Sequence, residues 1–271
     1  MTISDDMPAP LNASEIKSIC RASGCDIEVQ VLDKVDSTNT RLLEGDFPSP
    51  VTLCAAEHQT VGRGRRGKTW YSPDSGVTFS MRFNRREPVQ QFNGLSLLAG
   101  AVLCDSLRDA GIADVMVKWP NDVLVNNAKL AGILIESRAM PAKTGTCIVV
   151  GMGINYKRGE EAQLIDQAST DLYTLCGDAG LPGRSGLIAQ IATRLCSVVK
   201  IDVPGSVRDL AAGWSKYDAL AGAQVCVNTS DSGSITGSAQ GIDAGGGFRI
   251  KTGGETRVFT SADVSVRNRD S

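Results

Sequence analysis

The segment Gly62-Arg-Gly-Arg-Arg-Gly-Lys-Thr69 satisfies the Walker pattern G-x-x-x-x-G-K-T letter for letter, and its surroundings decide which folds remain open. A phosphate loop of that kind joins a buried strand directly to a helix whose N-terminus faces the phosphates. Here Glu57-His-Gln-Thr separates the apolar run Val51–Ala56 from the first glycine, and Trp70-Tyr-Ser-Pro-Asp-Ser-Gly then leads into another strand. No helix is predicted to start at Lys68, so the Walker fold is set aside. A solvated basic patch is the other plain reading. The alternating glycines oppose it, because they let the backbone approach a ligand closely and let the loop move. Four cations on such a loop suit a polyphosphate that is gripped and then released.

The rest of the chain supplies no broad electrostatic pull toward phosphate. Its 271 residues carry 28 Lys plus Arg against 30 Asp plus Glu, a formal net charge of −2. Nucleic acid or anionic membrane is therefore not attracted by overall charge, and phosphate chemistry depends on local cations. An apolar fraction of 42% suffices for one large domain, or a medium one with a small companion. The start is polar and acidic, and no apolar run reaches the ~20 residues that span a bilayer. Eight cysteines are scattered without a Cys-x-x-Cys pair, so reduced, mostly buried thiols in a cytoplasmic protein are expected. With His58 the sole histidine, a zinc site is not expected.

Periodicity predicts a helix over 11–23, capped by Ser14 and stopped at Gly24, then a strand over Val29–Val35. Ser37-Thr-Asn-Thr opens a short helix ending at Gly45. Val77, Phe79, Met81 and Phe83 alternate with polar residues, as in a half-buried strand. Gln90–Ala110 has the clearest helical spacing in the chain. Asp122–Val125 and Leu130–Glu136 read as strands around an Asn126-Asn127 hairpin, and Thr146–Gly151 as another strand. Helices fit Leu187–Val199 and Ser206–Leu220, interrupted near Pro204-Gly205. Past Ala221 the helical period disappears and short strands broken by Gly, Ser, Asp and Thr take over. The expected division is 1–28 as an N-terminal extension, 29–221 as the catalytic unit and 222–271 as a small all-β module.

Four segments, taken together, carry a family resemblance. Gly62–Gly67, preceded by Glu57-His-Gln59, resembles the Gly-Arg-Gly-Arg-Arg-Gly signature of biotin protein ligases. Lys118-Trp-Pro-Asn-Asp122, Lys129-Leu-Ala-Gly-Ile-Leu-Ile-Glu136 and Gly151-Met-Gly-Ile-Asn155 match further motifs of that family in the same order. Asp33-Lys-Val-Asp-Ser-Thr-Asn39 resembles the first motif, so the likeness spans roughly residues 29–271. It implies an α/β (α+β) fold: a central mixed sheet with helices on one face, of the class II synthetase type, followed by an SH3-like barrel. Gly237-Ser-Ala-Gln-Gly-Ile-Asp243 fits that barrel, while Ala262-Asp263 stands where the family usually has Gly-Glu.

The resemblance also implies a reaction. Biotin and ATP give biotinyl-5'-AMP and pyrophosphate, and the biotinyl group then passes to a lysine of a carrier protein. A carboxylate brought to ~4 Å from a phosphate charge costs about 4 kcal/mol at an effective dielectric of 20. Cations at the reacting centre are therefore needed, and a covalent nucleophile is not. By resemblance, Lys129 sits beside the carboxylate and α-phosphate. Arg65, Arg66 and Lys68 reach phosphates from the loop, and Lys118 and Asn121 line the nucleotide side. Asp122 is a catalytic candidate and a candidate partner for Mg2+. Lys68 departs from the commoner arginine, keeping charge but losing the planar fork.

Biotin's ureido ring needs donors and acceptors, which Ser37, Thr38, Asn39 and Gln59 provide, with Arg63, Gly64 and Arg65 nearby. Ser37-Thr-Asn39 reads equally as a helix N-cap. Asn155 reads either as an adenine or ribose contact or as a turn residue. Trp119 and Pro120 fit structural roles, and His58 is more simply incidental than catalytic. The expected partner is a biotin carboxyl carrier protein of acetyl-CoA carboxylase or a related carboxylase, with monomer and homodimer both open. Only 36 residues precede Ser37, too few for a winged helix-turn-helix, so no DNA binding is expected. The rivals are a lipoate or octanoate ligase, an inert biotin- or nucleotide-binding module, and a basic-loop RNA binder.

Overall fold

Strands whose alternate residues enter two different cores account for the architecture. The computed structural model describes residues 8–72, 75–140, 145–157, 168–180, 183–229, 233–260 and 264–268. Seven strands make one sheet: β1 (Glu28–Val35), β2 (Val51–Gln59), β3 (Val77–Arg85), β4 (Val115–Lys118), β5 (Asp122–Val125), β6 (Ala128–Ala139) and β7 (Thr146–Ile154). Their order is β1-β2-β3-β7-β6-β5-β4. Only β1 and β2 pair in parallel, which makes the sheet mixed as expected.

One face carries the main core. Leu53, Ala55, Phe79, Met81, Phe83, Ile148 and Val150 pack there beneath three helices: α1 (Ala13–Ala22), α3 (Leu95–Asp109) and α5 (Arg184–Ile201). The opposite face carries a smaller cluster of Leu42, Phe47, Cys54, Cys147 and Val149, under α2 (Thr38–Glu44). Helices on one face only is therefore corrected. For the same reason β3, predicted half-buried, is buried on both faces from Val77 to Phe83, because α2 covers the side the polar residues occupy.

Local signals moved several boundaries. Asn12 rather than Ser14 caps α1, accepting from the Glu15 amide at 3.0 Å. The long helix predicted from Gln90 is broken at Gly94, where φ is +78° and a Cβ would meet Val207 at 2.8 Å; a 3-10 turn over Val89–Phe92 precedes the break. Asn126 and Asn127 take φ values of 50° and 62°, the left-handed pair that a two-residue hairpin requires. Strand β4 and helix α4 (Leu172–Gly180) were not anticipated. The predicted helix Ser206–Leu220 is instead α6 (Val203–Ala212) followed by a 3-10 turn, Trp214–Lys216, and the break before it falls at Asp202.

The chain leaving α6 lies along the β4 edge. The Val117 amide donates to the Tyr217 carbonyl at 2.6 Å, and the Ala219 amide donates to the Val117 carbonyl at 3.0 Å. Beyond it come β8 (Gln224–Thr229), β9 (Gly233–Ile242), β10 (Phe248–Thr252), β11 (Glu255–Phe259) and β12 (Val264–Asn268). They form one antiparallel sheet in the order β11-β10-β9-β8-β12. Among the described residues β11 and β12 are its edges and do not pair with each other, so the expected barrel is an open sheet here. Ala262-Asp263 lies outside the described residues. Trp119 joins the two sheets: its ring stacks on Phe248 at 5.2 Å and its Nε1 donates to the Gly246 carbonyl at 3.1 Å.

Cys25, in the chain entering β1, and Cys196, in α5, are brought side by side with their Cα atoms 6.5 Å apart. Cys20, Cys54, Cys104 and Cys147 are buried and free. Burial pushes the thiols of Cys54 and Cys104 up to about 12. Among the described residues no helix is long and apolar enough to cross a membrane.

Candidate active site

The face of the sheet under α2 becomes a floor of small residues beside that helix. A Cβ on Gly151 would lie 2.1 Å from Asn39 Oδ1, and one on Gly153 would lie 2.2 Å from the Trp70 ring. On neighbouring β6 a Cβ at Gly132 would meet the same ring at 3.0 Å. Two motif glycines thus let the indole lie on the sheet, and a third admits the start of α2. Trp70 reached no functional role in the sequence reading. The signal was available only as a pairing of an aromatic residue with glycines far away in sequence.

At one end of the floor, buried polar groups converge. Ser37 caps α2, and Thr38 and Asn39 start its first turn; these three residues and Gln59 are buried. The Thr38 amide donates to Gln59 Oε1 at 2.8 Å, and the Thr38 hydroxyl donates to the same oxygen at 3.1 Å. Thr38 Oγ1 also lies 2.7 Å from Ser80 Oγ, which donates to Asn39 Oδ1 at 2.6 Å. Asn39 Nδ2 donates to Glu136 Oε2 at 2.9 Å. Ser37 is an N-cap, as the plain reading had it, while Thr38 and Asn39 face a shared polar cluster. Ser80 and Glu136 were not among the predicted site residues: Ser80 lies outside the motifs, and Glu136, though it ends one, has no partner to reveal its place until the fold brings Asn39 and Arg63 to it.

The Gly-Arg loop stands over this face as a small hairpin. The Trp70 amide donates to the Gly62 carbonyl at 2.8 Å, and the Gly64 amide donates to the Lys68 carbonyl at 2.7 Å. A 3-10 turn over Arg65–Gly67 closes the tip, with Arg66 in the left-handed region at φ 58°. Arg66 and Lys68 are exposed there. Arg63 reaches back to Glu136 at 2.8 Å and to Thr40 Oγ1 at 3.3 Å. Arg65 reaches across the cleft to Asn121 Oδ1 at 3.3 Å.

At the other end of the floor the remaining motifs meet. Lys129 Nζ lies 2.7 Å from Asp122 Oδ1 and 5.6 Å from the centre of the Trp70 ring. Both partners of that ion pair are about one-fifth exposed, so the ammonium opens to the cleft while being held on two sides. Lys118 sits opposite Asp122 in the β4–β5 register. Asn121 Nδ2 donates to the Ile133 carbonyl at 3.0 Å, which aims its oxygen toward Arg65. Asn155 donates to the carbonyls of Lys129 and Thr170 at 3.1 and 3.0 Å, so it braces the backbone that carries Lys129. His58 lies in β2 opposite Lys34. Among the described residues no three His, Cys, Asp or Glu side chains cluster as a metal site.

A mixed sheet with a buried polar cluster at one end of a glycine floor, cations at the other and an arginine loop above defines a carboxylate-activating, synthetase-like ligase domain. Residues 31–155 match the Biotin/lipoate A/B protein ligase family, and residues 222–267 match the Biotin protein ligase C terminal domain. The bifunctional ligase/repressor BirA of Escherichia coli is 33% identical over 249 residues, covering 89% of this chain and 75% of that one. The biotin--[acetyl-CoA-carboxylase] ligase of Mycobacterium tuberculosis is 30% identical over 275 residues, covering 97% and 98%. The structure of the biotin protein ligase from Aquifex aeolicus in complex with biotin and ATP superposes with a TM-score of 0.76 at 28% identity, covering 89% of this chain and 99% of that one. The chain belongs to the biotin protein ligase family.

Proposed function

We propose that this chain activates biotin with ATP and transfers the biotinyl group to a lysine of a biotin carboxyl carrier protein. The observation that carries the reading is the convergence of Lys129, Asp122, Arg65 and Asn121 on one cleft, opposite the Thr38–Gln59–Ser80 polar group. In the first step a carboxylate oxygen of biotin attacks the α-phosphorus and pyrophosphate leaves. In the second the carrier amine attacks the mixed anhydride, AMP leaves and the amine loses a proton.

Lys129 is the cation at the reacting centre, released from Asp122 toward the incoming anions, where charge builds up in the transition state. Arg65 contacts the reacting phosphate from above. Arg66 and Lys68 at the loop tip, Lys118 and Asn121 serve the remaining phosphates and nucleotide, with Asn155 beside them. Ser37, Thr38, Asn39 and Gln59 offer hydrogen-bonding groups to the ureido ring, Thr38 and Gln59 by giving up the bonds they make to each other, with Arg63 and Gly64 closing over it. Residues 29–221 form the catalytic unit and 222–271 the C-terminal unit. Asp122 could offer a carboxylate oxygen to Mg2+ held otherwise by the substrate phosphates, whose charge the ion would neutralise. The reaction belongs in the cytoplasm, which supplies ATP and carrier.

The Biotin/lipoate family description admits a lipoate ligase as well. The match of residues 222–267 to the Biotin protein ligase C terminal domain favours biotin. Pyrophosphate release is the test: it should require biotin and Mg-ATP and fail when lipoate replaces biotin. Equal turnover with both acids overturns the substrate assignment.

A further inference from the structure

Glu136 connects parts of the cleft that the roles above treat separately. It lies on β6 seven residues after Lys129, on the site side of the sheet with Gly132. Its Oε1 takes the Arg63 guanidinium at 2.8 Å, and its Oε2 takes Asn39 Nδ2 at 2.9 Å. From Asn39 the chain of contacts continues through Ser80 at 2.6 Å to Thr38 at 2.7 Å, and from Thr38 to Gln59 at 3.1 Å. The loop and the buried polar cluster are thus joined by an unbroken series of hydrogen-bonding groups.

The two partners of the ion pair differ in what holds them. Glu136's side chain is 19% exposed and belongs to a central strand, whereas Arg63's is 45% exposed and belongs to the loop. The carboxylate is the more enclosed partner and the arginine the more exposed one. Only an ionised carboxylate can accept from Asn39 with one oxygen and from a guanidinium with the other; a glutamine in its place has one acceptor and a competing amide donor.

We propose that Glu136 is a positioning residue. It holds Arg63, and with it the start of the Gly-Arg loop, in register with Asn39, so that the loop rests over the cleft before ligand arrives. Its effect on biotin rests on the ligase reading above; its effect on the empty loop does not.

The test compares wild type with Glu136→Gln, Arg63→Ala and the double variant. Tryptic cleavage after Arg65, Arg66 and Lys68 is followed by mass spectrometry without ligand, alongside the biotin Kd and thermal melting. Glu136→Gln should raise cleavage up to about fivefold, the upper end for an ion pair with one exposed partner, and weaken biotin by a similar factor. Arg63→Ala should reproduce the cleavage change, with the double variant cleaved no faster than either single one; its biotin Kd also reflects the direct contact proposed above. If Glu136→Gln melts early, Arg63→Ala, which removes the Glu136 contact from the exposed side together with the longer one to Thr40, carries the cleavage comparison. Unchanged cleavage in whichever single variant melts like wild type, or cleavage effects that add in the double variant, overturns the proposal. Wild type that binds no biotin would fail the ligase reading, and the cleavage ratios would still decide whether Glu136 holds the loop.

Discussion

The two faces of the seven-stranded sheet are made by the same strands and differ in composition where the site lies. Toward α3 and α5, β3 and β7 present Phe79, Met81, Phe83, Ile148 and Val150, all buried and apolar. Toward α2, Cys147 and Val149 keep a small apolar cluster at one end, and the positions nearer the site include Ser80, Arg82, Gly151 and Gly153, joined by Gly132 from β6. One face removes large side chains from water, at roughly 1.5–3 kcal/mol for each full burial. The other gives up part of that gain at its site end: glycines leave room for Trp70, and Ser80 supplies a hydroxyl. Even its buried charge has a positional role, since Arg82 donates to the Leu42 and Gly45 carbonyls at 3.2 and 2.6 Å and so caps the C-terminal end of α2. Stability and recognition are separated by a half-period of a β-strand, and a substitution one residue along should change which of them suffers.

The largest effect that could break this separation is expected on the core face. Phe79 is fully buried, so Phe79→Ala should cost about 3–5 kcal/mol of stability. Its specific activity per folded molecule should stay near wild type. Urea denaturation with an active-site titration measures both, and a variant that folds but turns over poorly would show the faces to be coupled. Lys129→Ala is the converse. Removing the reacting-centre ammonium should lower adenylation roughly 10²–10³-fold while the melting temperature holds. Near-normal adenylation would mean that another cation carries the charge.

A smaller effect concerns the loop above the site face. An acyl-adenylate is a reactive anhydride and must be held from water and stray lysines until the carrier docks. Arg65→Gly removes one charge-assisted contact, so the adenylate should escape roughly tenfold faster and label bystander lysines. Biotin incorporation into albumin by the two proteins is the readout. A variant that makes adenylate yet labels albumin no more than wild type would remove the loop's retaining role.

The smallest effect lies away from both faces, beside the edge strand β4. Asp218 is buried, and desolvation raises its pKa although the Leu220 amide and Trp214 oppose the rise. The folded state therefore binds that proton more tightly than the unfolded state does. Stability falls as pH rises from the unfolded pKa through the folded one and stays reduced at neutrality. Asp218→Asn should accordingly melt higher than wild type at neutral pH, with the difference vanishing toward acid. A lower melting temperature at pH 7 would show that the charged form is stabilised by contacts outweighing its desolvation.

Local chemistry made much of this legible along the chain. Asn126-Asn127 announces a two-residue hairpin because both residues tolerate positive φ, and the alternation from Val77 to Phe83 announces a strand. The run from Gly62 to Lys68 announces an anion-gripping loop without a helix behind it. Those are properties of a residue and its near neighbours. What the sequence left open needed a second surface. Whether β3 is half-buried or wholly buried depends on α2 lying across it. The brief β4 is held at the sheet edge by Tyr217 and Ala219, about a hundred residues on. Trp70 becomes part of the cleft only because Gly132 and Gly153 lie beneath it, and Glu136 joins loop to polar cluster only because β6 runs under Asn39. Backbone preference acts over a few residues and can be read in order. Close packing and hydrogen-bond geometry act between atoms a few ångströms apart whatever their separation in sequence, so only the tertiary structure could decide which motif residues share a contact.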